Sequence, residues 1–199
     1  TQGVSSAASD VYKRQIVSGG ANTLSVPRVA LGAEGAFHID AGSELNLTGS
    51  IVSGGSGLSK NLGGTLTLGS LNYYTGQTTL NGGTMVLPVG TVNPIFFNNA
   101  MVVNNGATLD LNGSVQYVNG LLGGNNAGLP SAIPGGVTTS GGASSLITNG
   151  SNGSFSGFIS GDVRFSKIGS NALSLENASS YTGATSILGG GLTLRDKAS

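Results

Sequence analysis

The chain has 199 residues with eight basic and eight acidic side chains, only 8% of the total, and carries no net charge. Its basic residues never cluster beyond Lys13-Arg14, which excludes a phosphate-tracking face and, with it, nucleic-acid binding. Cysteine is absent, excluding disulfides and thiolate metal sites, and no apolar run approaches the roughly 20 residues of a spanning helix.

In chain order, the opening TQGVSSAASDVYKRQ contains SSAASDVYKRQ, which resembles the peptide read from a translated sequencing adapter. Residues 1–15 are therefore set aside as a non-native leader, and residues 16–199 are taken as the folding unit. The native protein is expected to extend upstream, and the end at Asp196-Lys197-Ala198-Ser199 reads as arbitrary.

From Ile16 onward, apolar residues alternate with Thr, Ser, Asn or Asp, the pattern of half-buried strands. Strands are predicted at 28–31, 36–40, 44–47, 65–68, 77–80, 84–87, 101–103, 108–111, 115–118 and 144–148. Further strands follow at 162–166, 173–175, 184–188 and 192–194. The corners between them carry Gly-Gly, Asn-Gly or Asn-Asn, residues that tolerate positive φ. Between 121 and 142 the pattern weakens to LLGGNNAGLPSAIPGGVTTSGG, which reads as a loop extruded from the array and a candidate binding loop.

One stretch occurs twice. SKNLGGTLTLGSLNYYTGQTTLNGGTMVL, from Ser59, aligns without a gap on SKIGSNALSLENASSYTGATSILGGGLTL, from Ser166, at an offset of 107 residues. The pairs include Lys60/Lys167, Leu66/Leu173, Tyr74/Tyr181, Gly76/Gly183, Thr78/Thr185 and Gly82/Gly189. Such a repeat indicates an array rather than a globule. Strands of four or five residues with 6% aromatics and no Trp suit a slim solenoid interior better than a sandwich about 10 Å thick. The predicted fold is all-β: a parallel β-helix, or single-stranded β-solenoid, with Leu66 and Leu173 inward and Thr67 and Ser174 outward.

The two units resemble the autotransporter-associated (passenger-associated) β-strand repeat of bacterial autotransporters. Lys60, Thr65–Leu68, Tyr74-Thr75-Gly76, Thr78, Gly82-Gly83 and Leu87 carry the resemblance, as do Lys167, Leu173–Leu175, Tyr181-Thr182-Gly183, Thr185, Gly189-Gly190 and Leu194. The family-like spacers NNGATLDLNG and GSFSGFISG lie between them. The resemblance implies a right-handed β-helix fragment of a type V secreted passenger, a stalk that supports export and display at the surface of a Gram-negative bacterium. It implies the protein's own outer-membrane β-barrel translocator as partner. The alternative is an adhesion module for host or matrix surfaces.

Tests for chemistry assign no catalytic, cofactor-binding or metal-ligating residue. His38, the single histidine, shares an outward strand face with Asp40, near Glu34 and Glu44, and reads as part of a solvated face. There is no G-x-S-x-G elbow, no phosphate-binding loop, and Gly54-Gly55-Ser56-Gly57 lacks the Asp of a calcium-binding repeat. An enzyme and a small-molecule substrate are therefore not expected. Tyr73, Tyr74, Tyr117 and Tyr181 invite glycan stacking, but the repeated corner positions of Tyr74 and Tyr181 favour packing.

Overall fold

A four-residue strand with two inward apolar side chains cannot bury them alone, so each strand here stacks on its counterpart one turn away. The computed structural model describes residues 14–123, 133–150 and 152–195. The first turn is β1 (Arg14–Val17), β2 (Ala21–Leu24) and β3 (Arg28–Ala30); the second is β4 (Gly35–Ile39), β5 (Glu44–Leu47) and β6 (Ser50–Val52). The third and fourth turns contribute two strands each, β7 (Leu58–Asn61) with β8 (Thr65–Leu68), then β9 (Thr78–Leu80) with β10 (Gly83–Val86). The fifth comprises β11 (Ala100–Val103), β12 (Ala107–Asp110) and β13 (Val115–Val118); the sixth, β14 (Gly120–Leu122), β15 (Gly136–Thr138) and β16 (Ser144–Thr148). Next come β17 (Gly153–Phe155), β18 (Phe158–Gly161) and β19 (Val163–Lys167), then β20 (Ala172–Leu175), β21 (Ser180–Tyr181) and β22 (Thr185–Ile187). The strand β23 (Gly191–Leu194) lies on β20, one turn further on.

All the strand pairs are parallel, and about eight turns form a three-faced β-solenoid. One face runs β1-β4-β7-β9-β11-β14 and passes through a Gly123–Phe155 bridge to β17-β20-β23. The second runs β2-β5-β8-β10-β12-β15-β18-β21. The third holds β3-β6 at one end and β13-β16-β19-β22 at the other. Between those ends, turns three and four cross the third face without a regular strand, touching their neighbours through Val52–Tyr73 and Val92–Val115 bridges.

The inward ladders are those the alternation predicts. On the second face Leu45, Leu66, Met85, Leu109, Val137 and Ile159 stack in register, all buried. Burying each such side chain contributes roughly 1.5–3 kcal/mol. Strands with one inward apolar residue or a glycine start, such as β14, β15, β17 and β18, escaped the sequence reading. So did β1, β2, β6, β7 and β21. Leu121 and Leu122 of β14 and all of β15 fall inside the range read as an extruded loop; residues 124–132 of that range lie outside the described residues. Residues 1–13 of the leader also lie outside them, while Arg14 and Gln15 pair with Ala36 and Phe37 in β1.

The first face contains a surprise. Its inward ladder runs Phe37, Lys60, Leu80, Val103, so a lysine occupies an apolar position and is fully buried. Its stem packs among apolar neighbours, and its Nζ donates to the carbonyls of Asn61 (3.2 Å), Leu62 (2.6 Å) and Gly82 (2.9 Å). Lys167 repeats the arrangement on Ile168 (2.5 Å), Gly169 (3.3 Å) and Gly189 (3.2 Å). Each ammonium thus staples its own corner to the corner one turn on, with no carboxylate involved. The repeat's glycine pair follows from this. Gly83 has φ +62°, and a Cβ there would overlap the Gly64 carbonyl and come within 2.6 Å of Lys60 Nζ. Gly190 stands in the same relation to Lys167, at 2.9 Å.

Candidate functional site on the third face

The residues singled out for chemistry do not converge. His38 is half-buried and outward on β4, beside Ile16 and Asn61, while Phe37 and Ile39 point inward. Glu34 accepts a hydrogen bond from Ser59, and Glu44, on the second face, accepts one from Thr67 at 3.2 Å. Asp40 is exposed at the corner between the two. Among the described residues no three His, Cys, Asp or Glu side chains gather as a metal site.

The tyrosines divide. Tyr74 is fully buried and its hydroxyl pairs with Thr78 Oγ1 at 2.7 Å; burial raises its pKa. Tyr181 makes the same 2.7 Å bond to Thr185. These are the repeated corner positions, and they pack. Tyr73, whose counterpart in the other copy is Ser180, and Tyr117, which lies outside both copies, face outward: Tyr73 is 52% exposed and Tyr117 is half-buried.

Both lie on the third face, where they join an outward column. Going up the turns, it consists of Val52, Tyr73, the pair Phe96-Phe97, Tyr117 and Ile147. Phe97 is 48% exposed, its ring centroid 4.7 Å from that of Phe96 and 6.2 Å from that of Tyr117. Val92, 64% exposed, sits beside Val115 on the same face. At the strand spacing of about 4.8 Å, the four steps from Val52 to Ile147 cover about 19 Å. No charged residue lies between Asn61 and Leu109 or between Leu111 and Gly161, so the column is uncharged. The exposed arginines Arg28 on β3 and Arg164 on β19 lie beyond its two ends.

Two buried amides hold this surface where the strands lapse. Asn72 Oδ1 accepts from Ile51 N (2.8 Å), and its Nδ2 donates to the carbonyls of Ser70 (2.8 Å) and Pro94 (3.1 Å). Gln116 Oε1 accepts from Ile95 N (3.0 Å), and its Nε2 donates to the carbonyls of Ile95 (3.0 Å) and Tyr117 (2.5 Å). Both side chains point inward and replace ladder bonds that a regular strand would make. With Asn72 N bonded to Pro94 O, they bring the Tyr73 segment against the segment bearing Phe96 and Phe97. The sequence reading missed the amides. Asn72 and Gln116 each sit at an inward position of the alternation, which was the available signal.

No family model matches the chain, and no solved structure matches it. Among curated proteins, the chain is similar to the adhesin BmaC autotransporter of Brucella suis biovar 1 (strain 1330), at 36% identity over 197 residues. That alignment takes in 94% of this chain and 6% of the relative's length. A solenoid of stacked parallel turns and this similarity along nearly the whole chain point the same way. The chain is autotransporter passenger sequence. The passenger stretch is thus a β-solenoid with short repeats, as the two aligned units imply. In it, the Lys–Gly-Gly and Tyr-Thr-Gly elements of the repeat build corners, and the uncharged aromatic column stands apart from them.

Proposed function

We propose that this passenger segment is a β-helical stalk that supports export and displays other regions of a longer protein, without enzymatic activity. The observation that carries the reading is the second face, an unbroken row of eight parallel strands on which each turn offers the next a row of N–H and C=O groups. A turn that folds on its predecessor gives a translocating chain a stepwise gain in stability on the far side of the membrane. The partner is the protein's own outer-membrane β-barrel translocator, and the location is the surface, or the medium, of a Gram-negative bacterium. In the full-length protein, Leu66→Asp is expected to lower the amount of passenger reaching protease or antibody on intact cells. Undiminished display, with the variant shown to be unfolded, would remove the stalk role.

A second reading, adhesion to host or matrix surfaces, draws support from two observations: the relative is named an adhesin, and the third face carries the exposed aromatic column. Its test is cell attachment by bacteria displaying the protein with Tyr73→Ala and Phe97→Ala. Display should persist and attachment fall; attachment at the unaltered level removes the reading.

A further inference from the structure

We infer that the aromatic column of the third face binds an uncharged glycan chain laid along the solenoid axis. The inference rests on the adhesive reading and assigns it both a surface and a ligand chemistry. Three features select the ligand.

The first is shape. The column is one or two side chains wide and extends over five turns, with the rings of Tyr73, Phe97 and Tyr117 set on successive turns. Half-exposed aromatic rings offer flat apolar faces at little conformational cost, and Tyr adds a hydroxyl. A sugar ring presents a matching C–H face with hydroxyls around its edge. Polar groups for those hydroxyls are in place: Asn98 follows Phe97 and is exposed, and exposed Asn119 lies two residues beyond Tyr117, on the same side of the chain.

The second is charge. A neutral ligand meets no charged group along the column, so binding requires no buried ion to be desolvated. Among the described residues of this face, an acidic glycan would find cations only beyond the ends of the column, at Arg28 and Arg164. A second copy of the chain fits poorly for the same reason. Face to face, antiparallel copies set Arg28 opposite the other copy's Arg164, and parallel copies set each arginine opposite itself. Like charges meet at both ends either way.

The third is the backbone. A peptide that recognises a sheet by strand addition needs an open edge. The third face presents the flat of the stack rather than an open edge, and in turns three and four it carries no regular strand for a peptide to pair with.

The experiment uses the 199-residue chain and an array of neutral, sialylated and sulfated oligosaccharides, with hits followed by saturation-transfer NMR. Binding to neutral oligosaccharides is expected, with saturation transferred to ring C–H protons of the sugar. Tyr73→Ala and Phe97→Ala should each weaken it about tenfold, the scale of one lost aromatic contact, and Tyr73→Phe should retain it. Circular dichroism of each variant shows that the fold is kept, since both rings are half exposed. Three outcomes overturn the proposal: no neutral glycan bound, binding restricted to acidic glycans, or binding unchanged in the Tyr73→Ala/Phe97→Ala double variant. If the double variant loses cell attachment while the chain binds no glycan, the ligand is a protein; the adhesive reading then stands and this inference falls.

Discussion

Lys60 shows why residue type alone did not place it. An ammonium is among the groups least often buried, and a charge left unpaired in an interior is costly. Here the three N–H donors meet three carbonyls, two of the same corner and one from the next turn. Burial still disfavours the charged form and lowers its pKa from 10.5 to about 8, and it lowers that of Lys167 too. The sign follows. Between pH 8 and 10.5 the unfolded chain holds more protons than the folded one, so stability rises with pH through that window. Near pH 10 the unfolded tyrosine begins to ionise while buried Tyr74, its pKa raised, does not, and this opposes the rise. Urea midpoints measured from pH 7.5 to 10 should therefore climb, and the climb should shrink in Lys60→Met. At pH 7.5 the same variant should lose roughly 1–3 kcal/mol, because apolar replacement leaves three partly buried corner carbonyls without their donor.

Leu66 tests the inward assignment at the same scale. Leu66→Asp places a carboxylate in a fully buried ladder and should cost several kcal/mol. Alternation alone makes Thr67→Asp neutral, but Thr67 donates to Glu44 at 3.2 Å, so the new carboxylate would face a like charge. Ser174→Asp, outward in the other copy, is the cleaner control and should shift the urea midpoint little.

At the scale of elements, the sequence made the strands legible wherever two apolar residues flanked a polar one, as in TLTL of β8 or VQYV of β13. Strands such as GSF of β17 were not legible, because their inward partners come from about 20 residues away, beyond any local pattern. The candidate site was half legible. That Tyr74 packs followed from its repetition, whereas the outward column needed the turn-to-turn register, which no local pattern supplies. The irregular crossings of the third face were invisible for a related reason. Their order comes from Asn72 and Gln116, each doing for one turn what a strand does elsewhere. In the second copy Ser179 stands where Asn72 does, and its Oγ accepts from Ile159 N at 3.1 Å as Asn72 does from Ile51 N. Asn72→Ala should cost roughly 1–3 kcal/mol by stranding a buried N–H. Asn72→Ser should cost less, since the serine keeps an acceptor, and thermal melts of the pair would show the difference. Corner glycines obey a sharper rule. Gly83→Ala is expected to destabilise by roughly 1–3 kcal/mol, through its positive φ and the crowding of the Lys60 staple.

For the whole molecule, stability is a sum over turns and the interfaces between them. The central turns bury both surfaces of every ladder, whereas the last described turn leaves Ile187, Leu188 and Leu194 largely exposed. Hydrogen exchange should accordingly be slowest in β8, β10 and β12 and fastest in β22 and β23. Uniform protection along the axis would instead indicate a single cooperative block. The spacing of the repeat has one more effect. Its first copy begins on β7 of the first face and its second on β19 of the third, so 107 residues advance four turns and two faces. The two copies therefore point to different sides of the shaft, like leaves set spirally on a stem. Anything grafted at the same position of successive copies, whether a loop, a ligand patch or an epitope, is displayed around the shaft, and an antibody approaching from one side meets only some of them.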